Sequence, residues 1–268
     1  MSCRSPDAIA AAGRSVIERL RLADGDSERV RIPGVVLDEE LGRGASSIVY
    51  RARRDGVACA VKVGRDRRGA RWFRREAAAL ARVTDPGLPA VIDVGESGGV
   101  PYLVMELVEG ETLAARLTRE RLDEREAIEL CRALARILEA VHRRGLVHRD
   151  VKPRNIVLER GGRVRLVDFG FATVALAPQG AAGTRAYAAP EQLRVPAVID
   201  GRADLYALGR VLYECLTGVR WPEVSSDPEQ DVPPPLAAII AGLVAAEPDR
   251  RYRTAGGAPR RSGAGRAS

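Results

Sequence analysis

The fold of this chain is decided by the stretch HRDVKPRN at residues 148–155 and by DFG at residues 168–170. The intervening residues 156–167 consist of two apolar runs on either side of a Gly-Gly pair. A glycine pair is a preferred two-residue turn, so this segment is predicted to form a β-hairpin. In a two-residue hairpin, Asn155 and Asp168 would face each other at the open end.

An amide oxygen opposite a carboxylate is a plausible magnesium clamp, because Mg²⁺ takes few protein ligands and shares the rest with phosphates and water. Taken separately, Asn155 and Asp168 could each be a turn-capping residue beside a hairpin. With Asp150 and Lys152 close by in the sequence, the pair favours a phosphate-handling metal site.

Only two of the 43 basic residues are lysines, Lys62 and Lys152. Lysine carries a compact point charge that the planar arginine fork does not replace at a phosphate. Lys62 ends an apolar strand that begins at Val57, and its charge needs a partner there. Glu76 lies on the apolar face of the next predicted helix, so we expect it to pair with Lys62 and hold it for a phosphate. A purely structural ion pair is the alternative.

The glycine-rich run LGRGASSIVY, residues 41–50, places Gly42 and Gly44 in a turn between two predicted strands. Backbone N–H groups there can approach phosphates without side-chain obstruction. The signal is weak alone, because Ser47 stands where the G-x-G-x-x-G pattern has its third glycine, and a hairpin with two glycines is an ordinary feature.

His148 could be taken for a metal ligand or a general base. The chain has one other histidine, His142, and no cluster of metal-ligating residues accompanies either. We therefore interpret His148 as a packed structural residue and Asp150 as the better candidate for a base.

The periodicity predicts a β-rich first part and a helical second part. A β-rich lobe is expected over residues 34–108 and a helical lobe over 109–255, with ligands bound in the cleft between them. A helix is predicted to begin at a capping box formed by Asp123 and Glu126. The remaining expectations concern the following segments: an N-terminal extension, 1–33, with one amphipathic helix; strands within 35–63, 89–94 and 102–107; a helix over 68–83; and a disordered basic tail, 256–268.

Composition excludes several classes of protein. No apolar run is long enough to span a bilayer and the N-terminus lacks the apolar core of a signal peptide, so a cytoplasmic protein is expected. The net charge is +7, but acidic and basic residues interleave and aromatic residues make up only 4%, so no nucleic-acid binding is expected. Four cysteines without paired spacing indicate reduced core residues.

Taken in order, these motifs resemble those of the bacterial Hanks-type serine/threonine protein kinases. The resemblance adds three features: Ala189-Pro190-Glu191, Asp204 followed by Leu208-Gly209, and Arg251, which matches the arginine that pairs with the glutamate of the first motif. It covers about residues 34–255, and it implies a two-lobed α+β kinase fold with a small antiparallel β-sheet lobe carrying one helix and a larger, mainly helical lobe.

The resemblance also implies ATP and Mg²⁺ as cofactors and a role for each site residue. Lys62 would contact the nucleotide phosphates, braced by Glu76, while Asn155 and Asp168 hold magnesium. Asp150 would accept the substrate hydroxyl proton, and Lys152 would neutralise the phosphoryl group in transit. The residues implied around the nucleotide are Leu41, Gly42, Gly44, Val49, Ala60, Met105 as gatekeeper, and the backbone of Glu106 and Val108.

The implied partners are proteins with serine or threonine hydroxyls, including the chain itself. Two other functions share these residues: a pseudokinase that binds nucleotide as an interaction module, and a small-molecule kinase of the same fold. Within the segment 168–191, hydroxyl groups are confined to Thr173, Thr184 and Tyr187. Thr184 stands where the family has the threonine that positions the substrate. Activation by loop phosphorylation is therefore not expected.

Overall fold

The computed structural model describes residues 31–44, 47–65, 70–170, 172–174, 178–179, 184–194, 197–221 and 232–255. The amphipathic helix expected within 1–33 and the tail 256–268 fall outside these residues. The chain divides into two units, the first Met1–Ala81 with Pro89–Val108, the second Arg82–Leu88 with Glu109–Ser268. Within the described part of the chain, no helix combines the length and apolar character that a membrane crossing requires.

In the residues that the structure describes, the first unit is an antiparallel five-stranded sheet in the order β1-β2-β3-β5-β4 with one helix. Its elements are β1 (Val35–Arg43), β2 (Ser47–Arg54), β3 (Val57–Gly64), α1 (Ala70–Ala81), β4 (Val91–Ser97) and β5 (Val100–Met105). Alternate residues of β2 and β3, among them Tyr50 and Val61, are buried in one apolar cluster. The period-two pattern of the sequence therefore sets which face of the sheet becomes the core.

The last two strands differ from their predicted bounds of 89–94 and 102–107. They join through the two-residue turn Gly98-Gly99, with Ser97 opposite Val100. This turn extends β4 toward its C-terminal end and starts β5 earlier, because a glycine pair allows the tight hairpin that matches strand twist. The dipeptide is visible in the sequence.

The second unit is mainly helical, as the resemblance implies, so the expected α+β composition is confirmed in both units. Helix α3 begins after the N-cap Asp123, whose side chain accepts the Glu126 N–H while Glu126 accepts the Asp123 N–H. Its apolar residues Ala127, Leu130, Leu134, Leu138 and Val141 are buried. The helices are α2 (Leu113–Arg119), α3 (Glu124–Arg143), α4 (Arg202–Thr217) and α5 (Pro234–Leu243). The strands are β6 (Glu111–Thr112), β7 (Leu146–Val147), β8 (Ile156–Leu158), β9 (Val164–Leu166), β10 (Thr173–Val174), β11 (Pro178–Gln179) and β12 (Ala197–Val198).

The hairpin of β8 and β9 is present, but its predicted register is wrong by one residue. The N–H of Gly162 donates to the carbonyl of Glu159 at 2.9 Å, and Gly162 has φ of 78°. The loop thus has three residues, a tight turn followed by a left-handed glycine, rather than two. Consequently Asn155 lies opposite Val167, and the Val167 N–H donates to the Asn155 carbonyl at 2.9 Å. Asp168 is the next residue beyond this pair.

The strand pair β6 and β8 approaches the backbone of Gly110 closely. A Cβ atom at Gly110 would overlap the carbonyl of Leu158, a backbone atom of β8. The carbonyl cannot move without disturbing the pairing of Leu158 with Glu111.

We expect Gly110→Ala to lower the free energy of unfolding by about 1–3 kcal/mol, the usual range for overpacking. Denaturant unfolding measures this. Gly161→Ala is the matched control, because a Cβ there meets no atom within 4 Å, and it should change the unfolding free energy little. Equal stability of the two variants would contradict the close approach at Gly110.

Candidate active site

The first unit contains the ion pair between Lys62 and Glu76 that the sequence pattern predicts. Lys62 Nζ lies 2.9 and 2.8 Å from the two carboxylate oxygens of Glu76, and the residues are only 7% and 2% exposed. Strand β3 supplies the lysine and helix α1 the carboxylate. Because each buried charge needs the other, the pair fixes the position of the lysine ammonium on the sheet.

The register of the first sheet places several of the implied nucleotide residues on one face. Val49 is the cross-strand partner of Lys62, and Ala60 is the partner of Met105. Since Ala60 and Lys62 are two residues apart on one strand, all four side chains leave the sheet on the same side.

The other implied nucleotide residues lie at the ends of the first unit's strands. Gly42 is at the exposed end of β1 with Leu41, and Gly44 donates its N–H to the Ser47 carbonyl at 2.8 Å. Glu106 and Val108 follow β5, and the Glu106 N–H is bound to the Ala90 carbonyl at 2.8 Å. The carbonyl of Glu106 is therefore the backbone group that this residue can offer to an adenine edge.

In the second unit, the carboxylate of Asp150 is buried and held at both oxygens. Lys152 Nζ donates to Oδ2 at 2.6 Å, and Asn155 Nδ2 donates to the same oxygen at 3.2 Å. Thr184 donates to Oδ1 from its backbone N–H at 3.0 Å and from its hydroxyl at 2.9 Å. The Thr184 hydroxyl also accepts from Lys152 Nζ at 2.8 Å. Asp150 and Lys152 thus already hold an aliphatic hydroxyl between them.

Asn155 and Asp168 are suited to a magnesium ion by the chemistry of their oxygens. Both Asn155 Nδ2 bonds go to Asp150, to its carbonyl at 2.9 Å and to its carboxylate, which leaves Oδ1 as the amide atom for a cation. Asp168 has φ of 68°, a conformation that turns the chain just after the hairpin. No group of three histidine, cysteine or acidic side chains in the described residues could hold a metal. One amide and one carboxylate, completed by phosphates and water, match the coordination of Mg²⁺.

The fully buried carboxylate of Asp204 supports the loop of residues 148–155, which we call the catalytic loop. It accepts the N–H groups of His148 and Arg149 at 2.9 and 2.8 Å, and His142 Nε2 lies 2.7 Å from Oδ2. Burial by itself raises the pKa of Asp204, but the bonds to His142 and to the His148 backbone outweigh it and leave the pKa lowered. Sequence reasoning matched Asp204 to its motif and missed His142 as its partner, because their contact depends on how α3 packs against α4.

His148 lies fully buried, and its ring meets the Phe169 ring edge to face with the two ring centroids 4.5 Å apart. Burial lowers the pKa of His148, although the carboxylates of Asp204 and Asp150 act in the opposite direction. Its Nδ1 accepts the Asp150 N–H at 3.3 Å. A neutral imidazole that accepts a backbone bond has a structural role.

The segment after Thr184 is anchored by Glu191 and Arg251. The two guanidinium nitrogens of Arg251 lie 2.6 and 2.8 Å from the Glu191 oxygens, and the guanidinium also donates to three backbone carbonyls. A bidentate Arg–carboxylate pair fixes geometry as well as charge.

A family model described as "Protein kinase domain" matches residues 35–247. The serine/threonine-protein kinase PknB of Mycolicibacterium smegmatis is 39% identical over 256 residues, which cover 82% of this chain and 41% of that protein. A probable serine/threonine-protein kinase of Streptomyces coelicolor, SCO3848, is 37% identical, covering 80% of this chain and 37% of its own. A further one from Clostridium perfringens, CPE1738, is 35% identical, with 80% and 36% covered.

The chain thus spans about two fifths of the length of these curated relatives. The family match extends over most of the chain and contains both lysines, the HRDVKPRN and DFG motifs, and the Ala189-Pro190-Glu191 segment. The chain therefore belongs to the protein kinase family, with the bacterial Hanks-type serine/threonine kinases.

Proposed function

We propose that this chain transfers the γ-phosphoryl group of ATP to serine and threonine hydroxyls of proteins, itself included. The observation that carries the proposal is the Thr184 hydroxyl, 2.9 Å from Asp150 Oδ1 and 2.8 Å from Lys152 Nζ. A base and a cation placed together around an alcohol are what phosphoryl transfer to an alcohol requires. We take residues 34–255 as the kinase domain, with lobes 34–108 and 109–255. We propose the cytoplasm, where ATP is present, as its place of action.

Each residue has a separate task in the proposed reaction. Asp150 accepts the proton of the substrate hydroxyl while the hydroxyl oxygen bonds to the γ-phosphorus. The bond between the γ-phosphorus and the oxygen that bridges it to the β-phosphate breaks, which releases ADP. Lys152 neutralises the charge on the phosphoryl oxygens, and Lys62, held by Glu76, binds the nucleotide phosphates. Asn155 and Asp168 would hold Mg²⁺, which when bound neutralises phosphate charge.

We expect Asp150→Asn to reduce phosphoryl transfer at least about a hundredfold, because the amide cannot accept the hydroxyl proton. Labelled ATP with magnesium and a generic protein substrate measures the rate, and self-phosphorylation is read from the same gel. Asp123→Asn is the matched control: Asp123 is an exposed helix cap, and asparagine caps equally well.

Transfer that survives in the Asp150→Asn variant would overturn the assignment of the base. ATP binding without turnover in the unmodified chain would identify a pseudokinase. Transfer to small alcohols but not to peptides would identify a small-molecule kinase.

We expect Lys62→Arg and Lys152→Arg each to lower the rate at least about tenfold, since a planar fork does not reproduce a point charge on its stem. The rate constant at saturating ATP and substrate is the measurement. The reverse exchange at an exposed ion pair, Arg125→Lys beside Glu129, should leave the rate unchanged. Near-normal rates in both lysine variants would show that charge alone suffices at these positions.

A further inference from the structure

The backbone of Arg149 and Asp150 is held by side chains on several sides. Arg149 has φ of 70°, in the left-handed region that residues with a Cβ rarely adopt. Its N–H donates to Asp204 at 2.8 Å, and the next N–H, that of Asp150, donates to His148 Nδ1 at 3.3 Å. Such a backbone conformation persists where the surroundings determine it.

The carbonyl of this peptide unit is bound by Gln192, a residue to which no motif assigns a role. Gln192 is 1% exposed, and its Nε2 donates to the Arg149 carbonyl at 2.9 Å. Its Oε1 accepts the N–H of Ala189 at 3.1 Å. The amide therefore uses its donor on the catalytic loop and its acceptor on its own segment.

The segment that carries Gln192 reaches Asp150 a second time through Thr184. The N–H groups of Tyr187 and Ala188 both donate to the Thr184 carbonyl, at 2.8 and 3.0 Å, which folds the intervening residues into one compact turn. Thr184 binds the carboxylate of Asp150 while Gln192 binds the carbonyl just before Asp150. The segment 184–192 thus contacts both the side chain of the proposed base and the backbone carbonyl that precedes it.

We propose that Gln192 is a positioning residue that aims Asp150 by orienting the Arg149–Asp150 peptide unit. The proposal rests on the proposed function, since it concerns the base of that reaction. Gln192 thereby couples the segment 184–192 to the loop that carries Asp150. Displacement of the segment would release the carbonyl of Arg149 and change the direction in which the Asp150 carboxylate points.

The role requires an amide. Methionine has a similar length and fills the same space, but it neither donates to the Arg149 carbonyl nor accepts from Ala189. An ionised glutamate keeps the acceptor and loses the donor, whereas a protonated glutamate regains an O–H donor. The two substitutions therefore separate packing from hydrogen bonding.

The test compares Gln192→Met with Tyr187→Phe. The Tyr187 hydroxyl is in the same segment and donates to Glu214 at 2.6 Å, away from the catalytic loop. We expect Gln192→Met to lower kcat about tenfold or more with KM for ATP nearly unchanged, because a small misplacement of a reacting group is costly. Tyr187→Phe should leave kcat nearly unchanged. Amide hydrogen exchange at residues 149 and 150 should become faster in Gln192→Met only.

A second variant, Gln192→Glu, keeps the proposal testable if the methionine variant does not fold. Its kcat relative to that of the unmodified chain should rise as pH falls, because protonation restores the donor to the Arg149 carbonyl. Equal losses of kcat in Gln192→Met and Tyr187→Phe, or a relative kcat of Gln192→Glu that does not change with pH, would overturn the positioning role.

Failure of the proposed function gives a different result. If the unmodified chain transfers no phosphate, the proposed function fails, and hydrogen exchange alone then decides the role of Gln192. Faster exchange at residues 149 and 150 in Gln192→Met supports the contact as an organiser of the loop, and unchanged exchange overturns it.

Discussion

The buried carboxylate of Asp204 is the interaction on which the catalytic loop depends. It takes two consecutive backbone N–H groups, those of His148 and Arg149, and the second belongs to a residue in a left-handed conformation. A buried carboxylate is unfavourable unless donors surround it, and a left-handed arginine is unfavourable unless its neighbours hold it. The hydrogen bonds from these two N–H groups offset both costs, because they supply the carboxylate with donors and hold the backbone of Arg149. His142 supplies the third bond, so helices α3 and α4 are both tied to the loop through one side chain.

The same rule applies to three further ion pairs among the described residues. Lys62 pairs with Glu76 inside the first unit, Glu191 with Arg251 in the second, and Asp150 is bound by Lys152. Buried pairs of this kind contribute little net stability, but loss of one partner leaves an uncompensated charge, which is costly. Their effect is to hold each group in one position. The proposed reaction needs groups held in this way, because a small misplacement of a reacting group is costly.

Much of this arrangement can be predicted from local patterns. The capping box of Asp123 and Glu126 and the pairing of Lys62 with Glu76 follow from helical periodicity and from the requirement that a buried charge be paired. The predicted β8–β9 register is wrong by one residue, because two glycines in a row permit two kinds of turn. One is a two-residue turn, and the other is a three-residue turn that ends on a left-handed glycine. That choice is made by the surrounding backbone, and it places Asn155 opposite Val167 rather than Asp168.

By itself, the sequence determined the chemistry of the candidate site: the lysines, carboxylates and amide are present in an order and spacing that point to a kinase. Only the tertiary structure decided which groups hold them. Gln192 and Arg149 are far apart in the chain, as are His142 and Asp204, and no local pattern marks either contact. Helical and strand periods report which face of an element is buried, whereas the partner of a buried polar atom depends on which elements meet there, and packing alone sets that.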